Sequence, residues 1–266
     1  MADWDPELYN RFRHYRAEPF EAILARLALG HAERIIDLGC GSGENTVELA
    51  SRTAEGQVLG VDSSPAMIDR ALKVRDGLGP GLRERLRFER GDIREIDAMQ
   101  EYSLVFSNAA LQWVREHREV FTRCYAALIP GGRLVVQMPA NDHETAQATI
   151  SAMAAEEPWR ATLGGIRPPS SSVAPPADYI RMLGGIGFVE VDCYYQMFHH
   201  PMGSPAEIVE WSRATMLRRY LEPLDAGARK LFVESLSTRL EREYGTRGPL
   251  VFNFRRLFIW ARRPAA

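Results

Sequence analysis

The stretch Arg34-Ile-Ile-Asp-Leu-Gly-Cys-Gly-Ser-Gly43 determines how this chain is expected to fold. Its apolar residues predict a buried parallel strand over 34–37, because a short apolar run bounded by turn residues is typical of such a strand. Three glycines then allow the backbone to turn sharply into a helix predicted over 44–52. The stretch therefore predicts a strand, a glycine turn and a helix in direct succession.

Two residues argue against a pyrophosphate at this turn. The G-x-G-x-x-G/A pattern of dinucleotide sites requires a small residue three positions after Gly41, where this chain has Glu44. Asp37 opens the turn, and its carboxylate would repel phosphate but could hold an ammonium group, while the N-terminus of the helix would face a carboxylate. Both groups occur in the methionine part of S-adenosylmethionine, so the turn favours this cofactor.

A second carboxylate ends the next predicted strand, 57–61. Asp62 lies about 20 residues beyond the glycine turn and is placed to accept hydrogen bonds from the hydroxyls of a ribose. Ser64 as N-cap and Pro65 at the first helical position predict a helix over 65–76, which leaves Ser63 in the loop above the strand. The loop is therefore expected to face the ligand.

A third carboxylate completes the predicted cofactor site. Asp92 follows a strand predicted over 86–89 and could accept from an adenine amino group, with Ile93 covering the ring. A lone aspartate after a strand is more often a turn former, but three at successive strand ends lie where open α/β sheets bind ligands. The predicted cofactor-binding residues are Arg16, Asp37, Gly39, Gly41, Gly43, Asp62, Ser63, Met67, Asp92, Ile93, Asn108, Ala109 and Gln112.

Several segments outside the glycine turn carry a family resemblance: Asp3-Trp-Asp-Pro6, Leu8-Tyr9, 61–68, 108–113, 135–139 and 256–263. On these segments the chain resembles a class I S-adenosylmethionine-dependent methyltransferase and, more narrowly, the trans-aconitate 2-methyltransferase family over nearly its whole length. The resemblance implies S-adenosylmethionine as methyl donor and a carboxylate of a small polycarboxylic acid as acceptor. It also implies that the last two strands form an antiparallel pair at one edge of the sheet.

The chain departs from the family's pattern mainly in its acceptor half. The family has an arginine where this chain has Glu18, directly before Pro19. If Glu18 points into the pocket, it disfavours a trianion such as trans-aconitate, and a related acid becomes the expected acceptor. Further departures lie at Met216, Arg219 and Arg255.

Composition excludes several other classes of protein. With 266 residues, 45% hydrophobic and 26% charged, the chain suits one large α/β domain, or a domain plus a cap. A net charge of −2 argues against nucleic acid as a substrate. The lack of an apolar run near 18 residues and the acidic, polar start predict no membrane span and a cytoplasmic protein. Three cysteines without paired spacing predict reduced thiols and no metal site.

Alternating strands and helices predict an α/β fold: a Rossmann-like seven-stranded, mostly parallel sheet with an antiparallel edge strand and helical cap insertions. The further strands are expected at 102–106, 132–137, 188–197 and 250–261, with helices at 19–29 and 116–128 and Pro130-Gly131-Gly132 leading into the fifth strand. The predicted segments are an N-terminal helical segment over the cofactor site (1–30), the cofactor-binding core (31–139), a lid loop with a helix and the sixth strand (140–203), a helical cap (204–249) and a final strand (250–266).

The substrate is expected under the helical cap. Ser204-Pro205-Ala206-Glu207 fits a capping box, and the stripe Leu231, Leu236, Leu240 and Tyr244 predicts an amphipathic helix. The run from Pro168 to Pro176 is too rich in proline and serine for regular structure and predicts a loop, which is a candidate lid. The predicted substrate-binding residues, which could hold carboxylates or wall the pocket, are Tyr9, Trp113, His117, Tyr195, His199, His200, Arg218 and Tyr220.

Methyl transfer to a carboxylate needs no general base, because the nucleophile is already ionised. No catalytic residue is therefore predicted, and the rate enhancement is expected to come from holding the reactants close together in a dry site. The sequence leaves other functions open: methylation of a malonyl-carrier protein or of another small metabolite, a non-catalytic cofactor-binding protein, and a nucleic-acid methyltransferase. It predicts a monomer or a homodimer.

Overall fold

The computed structural model describes residues 12–213, 216–246 and 248–265, and of Arg13 and Pro169 only the backbone. The strands are β1 (Arg34–Leu38), β2 (Gln57–Asp62), β3 (Leu86–Arg90), β4 (Tyr102–Asn108), β5 (Leu128–Pro139), β6 (Val189–Met202) and β7 (Leu250–Arg262). The helices are α1 (Arg13–Arg26), α2 (Glu44–Ser51), α3 (Pro65–Asp76), α4 (Pro80–Arg83), α5 (His117–Ala127), α6 (Thr145–Ala154), α7 (Arg160–Leu163), α8 (Pro176–Ile186), α9 (Pro205–Arg213), α10 (Leu217–Leu221) and α11 (Ala226–Tyr244). Short 3-10 turns lie at Ile93–Glu95, Leu111–Trp113 and Pro169–Ser172.

The seven strands form one sheet in the order β3-β2-β1-β4-β5-β7-β6. The pairings among β1 to β5 are parallel. β7 runs opposite to β6, because Glu190 pairs with Arg262 while Tyr194, further along β6, stacks on Phe258. The predicted seven-stranded, mostly parallel α/β sheet with an antiparallel pair at one edge is therefore confirmed.

The chain divides into two compact units. We call the first the core unit; it comprises residues 20–139, 172–196 and 257–266. The second, the cap unit, comprises residues 1–19, 140–171 and 197–256. The five-segment division drawn from the sequence stays a prediction. Within the described residues, no helix is both long and apolar enough to cross a membrane.

In the core unit, the central strands are apolar because both faces of the sheet are covered. Ile35, Ile36, Leu104 and Phe106 are all buried, as expected of parallel strands between two layers of helices. The register pairs Leu38 with Val61, Asp62 with Arg90 and Asn108 with Gln137. The carboxyl ends of β1 to β5 consequently meet at one edge of the sheet, where open α/β sheets bind ligands.

The cap unit has its own hydrophobic cluster, which includes Trp211, Tyr220, Phe232 and Phe252. Phe232 on α11 packs edge-on against Trp159, with ring centroids 5.1 Å apart, and lies one and two turns before the buried Leu236 and Leu240. The predicted stripe was wrong at its first position, since Leu231 is 59% exposed. α9 begins at Pro205 as predicted, and the Glu207 carboxylate accepts from the Gly203 N–H at 2.8 Å.

Some element boundaries differ from the prediction. α1 begins at Arg13 rather than at Pro19, which lies inside the helix; a proline removes one hydrogen bond there without ending the helix. α5 ends at Ala127, and β5 already begins at Leu128, so the Pro130-Gly131-Gly132 turn lies within the strand and not before it. An irregular register between Tyr102 and Leu104 accommodates this turn.

The segment from Pro168 to Pro176 is more regular than predicted. It contains a 3-10 turn, and Pro176 is the first residue of α8. α8 was missed because its first residue, Pro176, is the last residue of the proline-rich run, although proline at the first helical position is favourable. Its role as a closing lid stays a prediction.

Candidate active site

The glycine turn after β1 combines tight packing with one open position. Gly39, Gly41 and Gly43 have φ angles of +76°, +56° and +88°, which side chains other than glycine rarely adopt. A Cβ on Gly39 would lie 2.2 Å from the Ala110 Cβ, and one on Gly43 would lie 2.8 Å from the Phe88 ring. A Cβ on Gly41 would meet no atom within 4 Å. The turn therefore leaves room for a ligand at Gly41.

Two carboxylates lie beside this open position. Asp37 is fully buried and accepts a hydrogen bond from the Thr46 hydroxyl at 2.6 Å. Asp62 accepts from the backbone N–H groups of Gly41 at 3.0 Å and Ser64 at 2.8 Å. Within the described residues, neither carboxylate forms a salt bridge. The pair could therefore hold a cationic group, together with hydroxyl donors at the remaining lone pairs.

Burial and the nearby charge of Asp62 raise the pKa of Asp37 to about 7, although the bond from Thr46 opposes this shift. The pKa of the Cys40 thiol is also raised, first by burial and then by Asp37 and Asp62. Cys40 is therefore a protonated, small residue of the turn and not a nucleophile.

The raised pKa of Asp37 gives a testable dependence of stability on pH. Between pH 4 and 7, the folded state keeps a proton that the unfolded state has released, so stability falls as pH rises, by about 1.4 kcal/mol per unit. We expect Asp37→Asn, which cannot ionise, to gain stability relative to the wild type across this window. Urea unfolding at a series of pH values measures the difference, and a difference that does not change with pH would contradict the assignment.

The loop after β2 has the predicted geometry. Ser64 caps α3 by accepting from the Met67 N–H at 3.4 Å, and Pro65 is the first helical residue. Ser63 stays outside the helix and is exposed. This cap fixes the backbone beside Asp62, so the predicted cofactor residues Asp62, Ser63 and Met67 lie together.

Asp92, which follows β3, already forms hydrogen bonds and an ion pair within the protein, which the sequence did not predict. Its carboxylate caps the following 3-10 turn and forms a two-point ion pair with Arg94, with a shortest distance of 2.6 Å. The bonds from Arg94 lower the pKa of Asp92. An adenine amino group that bonds to Asp92 would have to share its carboxylate with Arg94. Ile93 lies near the glycine turn, 3.4 Å from where a Gly39 Cβ would be.

Amide side chains with buried polar atoms lie at the carboxyl ends of β4 and β5. Ala109 has a positive φ of 56°, which turns the chain after Asn108. Among the described residues, the Asn108 Oδ1, the Gln112 Oε1 and both side-chain polar atoms of Gln137 have no hydrogen-bond partner. Sequence analysis missed Gln137, although a glutamine inside the apolar run Val135-Val136-Gln137-Met138 was a usable signal. Unpaired buried amides are costly, so this group is suited to binding a polar ligand.

His117, predicted to contact the substrate, is buried and already hydrogen-bonded within the protein, and its contact with substrate stays a prediction. His117 is only 4% exposed; its Nε2 lies 2.9 Å from the Leu111 carbonyl and its Nδ1 lies 2.7 Å from the Tyr179 hydroxyl. Burial lowers the pKa of His117, so the neutral ring donates to Leu111 and accepts from Tyr179. His117 therefore fixes the turn that carries Gln112 and Trp113. Trp113 is 58% exposed and Tyr195 is exposed, and their contacts with substrate stay predictions.

The other predicted substrate residues belong to the cap unit. His199 is exposed and its Nδ1 lies 2.8 Å from the Asn253 Oδ1, while Arg218 is exposed and pairs with Glu222 at 2.8 Å. Tyr220 is fully buried and stacks on Phe232 in the hydrophobic cluster of the cap unit, and its contact with substrate stays a prediction. His200 is buried and Arg16, predicted for the cofactor, is half-buried; both are considered below. Tyr9 lies outside the described residues.

Comparisons with known proteins agree with this fold. The YcgJ protein of Bacillus subtilis matches over 95% of this chain and 100% of its own, with a TM-score of 0.61 at 12% identity. Phosphoethanolamine N-methyltransferase 2 of Haemonchus contortus matches over 93% of this chain and 52% of its own, with a TM-score of 0.59 at 21% identity. These likenesses show the fold alone. A family model described as a methyltransferase domain matches residues 29–172, and with the fold it defines a class I methyltransferase.

Curated relatives narrow the class. The trans-aconitate 2-methyltransferase of Variovorax paradoxus is 36% identical, with 100% of both chains covered. The protein of the same name from Methylobacterium radiotolerans is 37% identical, with 99% of both chains covered. The chain belongs to the trans-aconitate 2-methyltransferase family, which confirms the resemblance found in the sequence.

Proposed function

We propose that the protein transfers a methyl group from S-adenosylmethionine to a carboxylate of a small polycarboxylic acid such as trans-aconitate. The products are a monomethyl ester and S-adenosylhomocysteine. One observation gives the strongest support for S-adenosylmethionine as the donor. The carboxylates of Asp37 and Asp62 lie beside the open backbone position at Gly41, and neither forms a salt bridge with another described residue. This arrangement suits a ligand that carries both an ammonium group and ribose hydroxyls.

Each residue at the strand ends has a proposed task. Asp37 holds the ammonium group, and ionises when that positive charge is bound, because an opposite charge favours the carboxylate. Asp62 accepts from the ribose hydroxyls while its bonds from Gly41 and Ser64 keep it oriented. Gly41 leaves the space that the ligand occupies. Ser63 and Met67 border the ribose, and Asp92 and Ile93 border the adenine.

The amides at the carboxyl ends of β4 and β5 have a proposed task near the reacting groups. When bound, S-adenosylmethionine supplies an electrophilic methyl group on a positively charged sulfur. Asn108, Ala109 and Gln112 hold its methionine part, and Gln137 offers a donor and an acceptor to the acceptor acid. A carboxylate is ionised at neutral pH, so the protein needs to bind and orient the two reactants and to exclude water, without a general base.

A panel of acids tests the proposed function. The protein is incubated with methyl-labelled S-adenosylmethionine and, separately, with trans-aconitate, cis-aconitate, citrate, tricarballylate and malonate. We expect label that alkali releases as methanol, because a methyl ester is hydrolysed by base. Because Glu18 replaces an arginine of the family's pattern, a dicarboxylate could outperform trans-aconitate. Labelled product with none of the acids would remove the proposed acceptor class.

Two expectations from the sequence remain predictions. The cysteine pattern and the polar start predict a cytoplasmic protein, and the chain is predicted to be a monomer or a homodimer. The small-molecule acceptor itself is part of the proposal above.

A further inference from the structure

Arg256 in the cap unit is a buried charge with an unsatisfied donor. It lies on β7, is 7% exposed, and its guanidinium carbon is 4.4 Å from the centroid of the Phe254 ring. Its Nε atom is buried and has no hydrogen-bond partner within residues 12–213, 216–246 and 248–265. An isolated charge is expensive to bury unless it is paired and hydrogen-bonded. Such an arginine requires an anion.

A second arginine increases this requirement. The guanidinium of Arg16 lies over the Trp211 ring, 5.0 Å from its centroid, and its nitrogens are buried. Burial and the positive charge of Arg16 together lower the pKa of Arg256 to about 9. Two like charges held close together in a low-dielectric region repel each other. An anion between or beside them would remove this repulsion.

The neighbouring groups limit the charge of that anion. His200 is 1% exposed, and burial, then the charge of Arg256, lowers its pKa to about 4, so it is neutral at physiological pH. Its Nδ1 lies 3.6 Å from the Glu18 carboxylate, beyond hydrogen-bond distance. An ion pair there would raise the pKa of His200, so this approach is a contact of a neutral ring with Glu18. The neutral ring of His200 adds no positive charge, so among the described residues the guanidinium groups of Arg256 and Arg16 supply the attraction for a carboxylate.

The shape of the site suits a carboxylate as well. Guanidinium groups bind carboxylates through two parallel hydrogen bonds in one plane. Aromatic rings flank both arginines, with the Trp211 and Phe254 centroids 5.8 Å apart. Rings on either side exclude water and keep the guanidinium planes fixed, which strengthens the bonds to a bound anion.

We propose that Arg256, together with Arg16, forms a carboxylate-binding site in the cap unit. Both reactants of the proposed function carry a carboxylate: the acceptor acid and the methionine part of the donor. The identity of the bound acid rests on that proposed function, whereas the site itself does not. Burial alternates along β7, with Phe252, Phe254 and Arg256 inside and Asn253 and Arg255 partly exposed, so strand periodicity could have indicated Arg256 from sequence.

Titration of the full-length Arg256→Met variant tests the proposal. Methionine keeps an apolar stem in the packed site but cannot bind an anion. The probes are tricarballylate and S-adenosylhomocysteine, titrated separately by calorimetry. We expect at least about tenfold weaker binding of one of them, since a charge-assisted hydrogen bond is lost. We also expect unchanged or higher thermal stability without ligand, because an unsatisfied buried charge is removed.

Further variants separate the outcomes. Arg256→Lys should bind with intermediate affinity, because the charge remains without the planar two-point contact. Arg239→Gln, which loses an exposed arginine paired with Glu156 in the same unit, should bind both probes as the wild type does. Weakened tricarballylate binding assigns the site to the acceptor, and weakened adenosylhomocysteine binding alone assigns it to the donor. Unchanged binding of both probes, or a variant less stable than the wild type, would overturn the proposal.

If the wild type binds adenosylhomocysteine but none of the acids, the proposed acceptor class fails. Titration of the variants with adenosylhomocysteine then still tests the carboxylate site. The two proposals can therefore fail independently.

Discussion

Replacing Gly39 by alanine is expected to destabilise the protein by about 3 kcal/mol, from a left-handed backbone strain and a steric clash that act together. The added Cβ would lie 2.2 Å from the Ala110 Cβ, and both atoms are held by the backbone of adjacent strand ends. The Gly39 N–H also bonds to the Val61 carbonyl at 2.8 Å, so the turn cannot move away without breaking that bond. Urea unfolding of the purified variant measures the loss.

Gly41→Ala is the matched control, because Gly41 has a positive φ as well but no atom within 4 Å of its added Cβ. We expect a loss of only about 1 kcal/mol from the backbone strain. The same methyl group would enter the space proposed for the cofactor, so binding of S-adenosylhomocysteine should weaken. Equal destabilisation by the two substitutions would show that the packing at Gly39 has been misjudged.

The second large effect is expected on cofactor affinity. Asp62→Asn removes the negative charge and one acceptor from the carboxylate proposed to bind the ribose hydroxyls. We expect S-adenosylhomocysteine to bind more weakly by about 1–3 kcal/mol, or about fivefold to 150-fold. Asparagine can still accept one of the two bonds from Gly41 and Ser64, so the loop should stay folded. Calorimetry gives the affinity, and circular dichroism confirms the fold.

Asp69→Asn provides the control for Asp62→Asn. Asp69 lies exposed on α3, in the helix that Ser64 caps, and its substitution removes the same charge. We expect unchanged affinity for S-adenosylhomocysteine. If Asp62→Asn also bound like the wild type, the ribose would have to be held by other groups.

The central sheet could be predicted from sequence because its signals are local. An apolar run, a glycine turn and an N-cap are each set by adjacent residues, and β1, the turn and the start of α3 lie where these patterns indicated. The same order predicts where the cofactor binds, since a parallel sheet brings the carboxyl ends of its strands to one edge, and that site stays a proposal. The interpretation as a methyltransferase of the trans-aconitate 2-methyltransferase family is confirmed.

The acceptor side was harder to predict because burial in the cap depends on contacts between residues far apart in sequence. His117 looked like a residue on an exposed helix face, yet Tyr179, 62 positions away, covers it. Tyr220 looked like a ligand contact, yet it stacks on Phe232. Sequence analysis considered Arg256, with Arg255, among possible donors to a polycarboxylate but did not select it, although the alternating burial along β7 places its side chain inside.

A crystal structure of the protein with S-adenosylhomocysteine tests most directly whether the acidic strand ends form the donor site. We predict the ribose hydroxyls within hydrogen-bond distance of the Asp62 carboxylate, the amino group near Asp37, and the ligand against the backbone at Gly41. Bound ligand elsewhere, with Asp37 and Asp62 untouched, would contradict the proposed cofactor site and the function built on it.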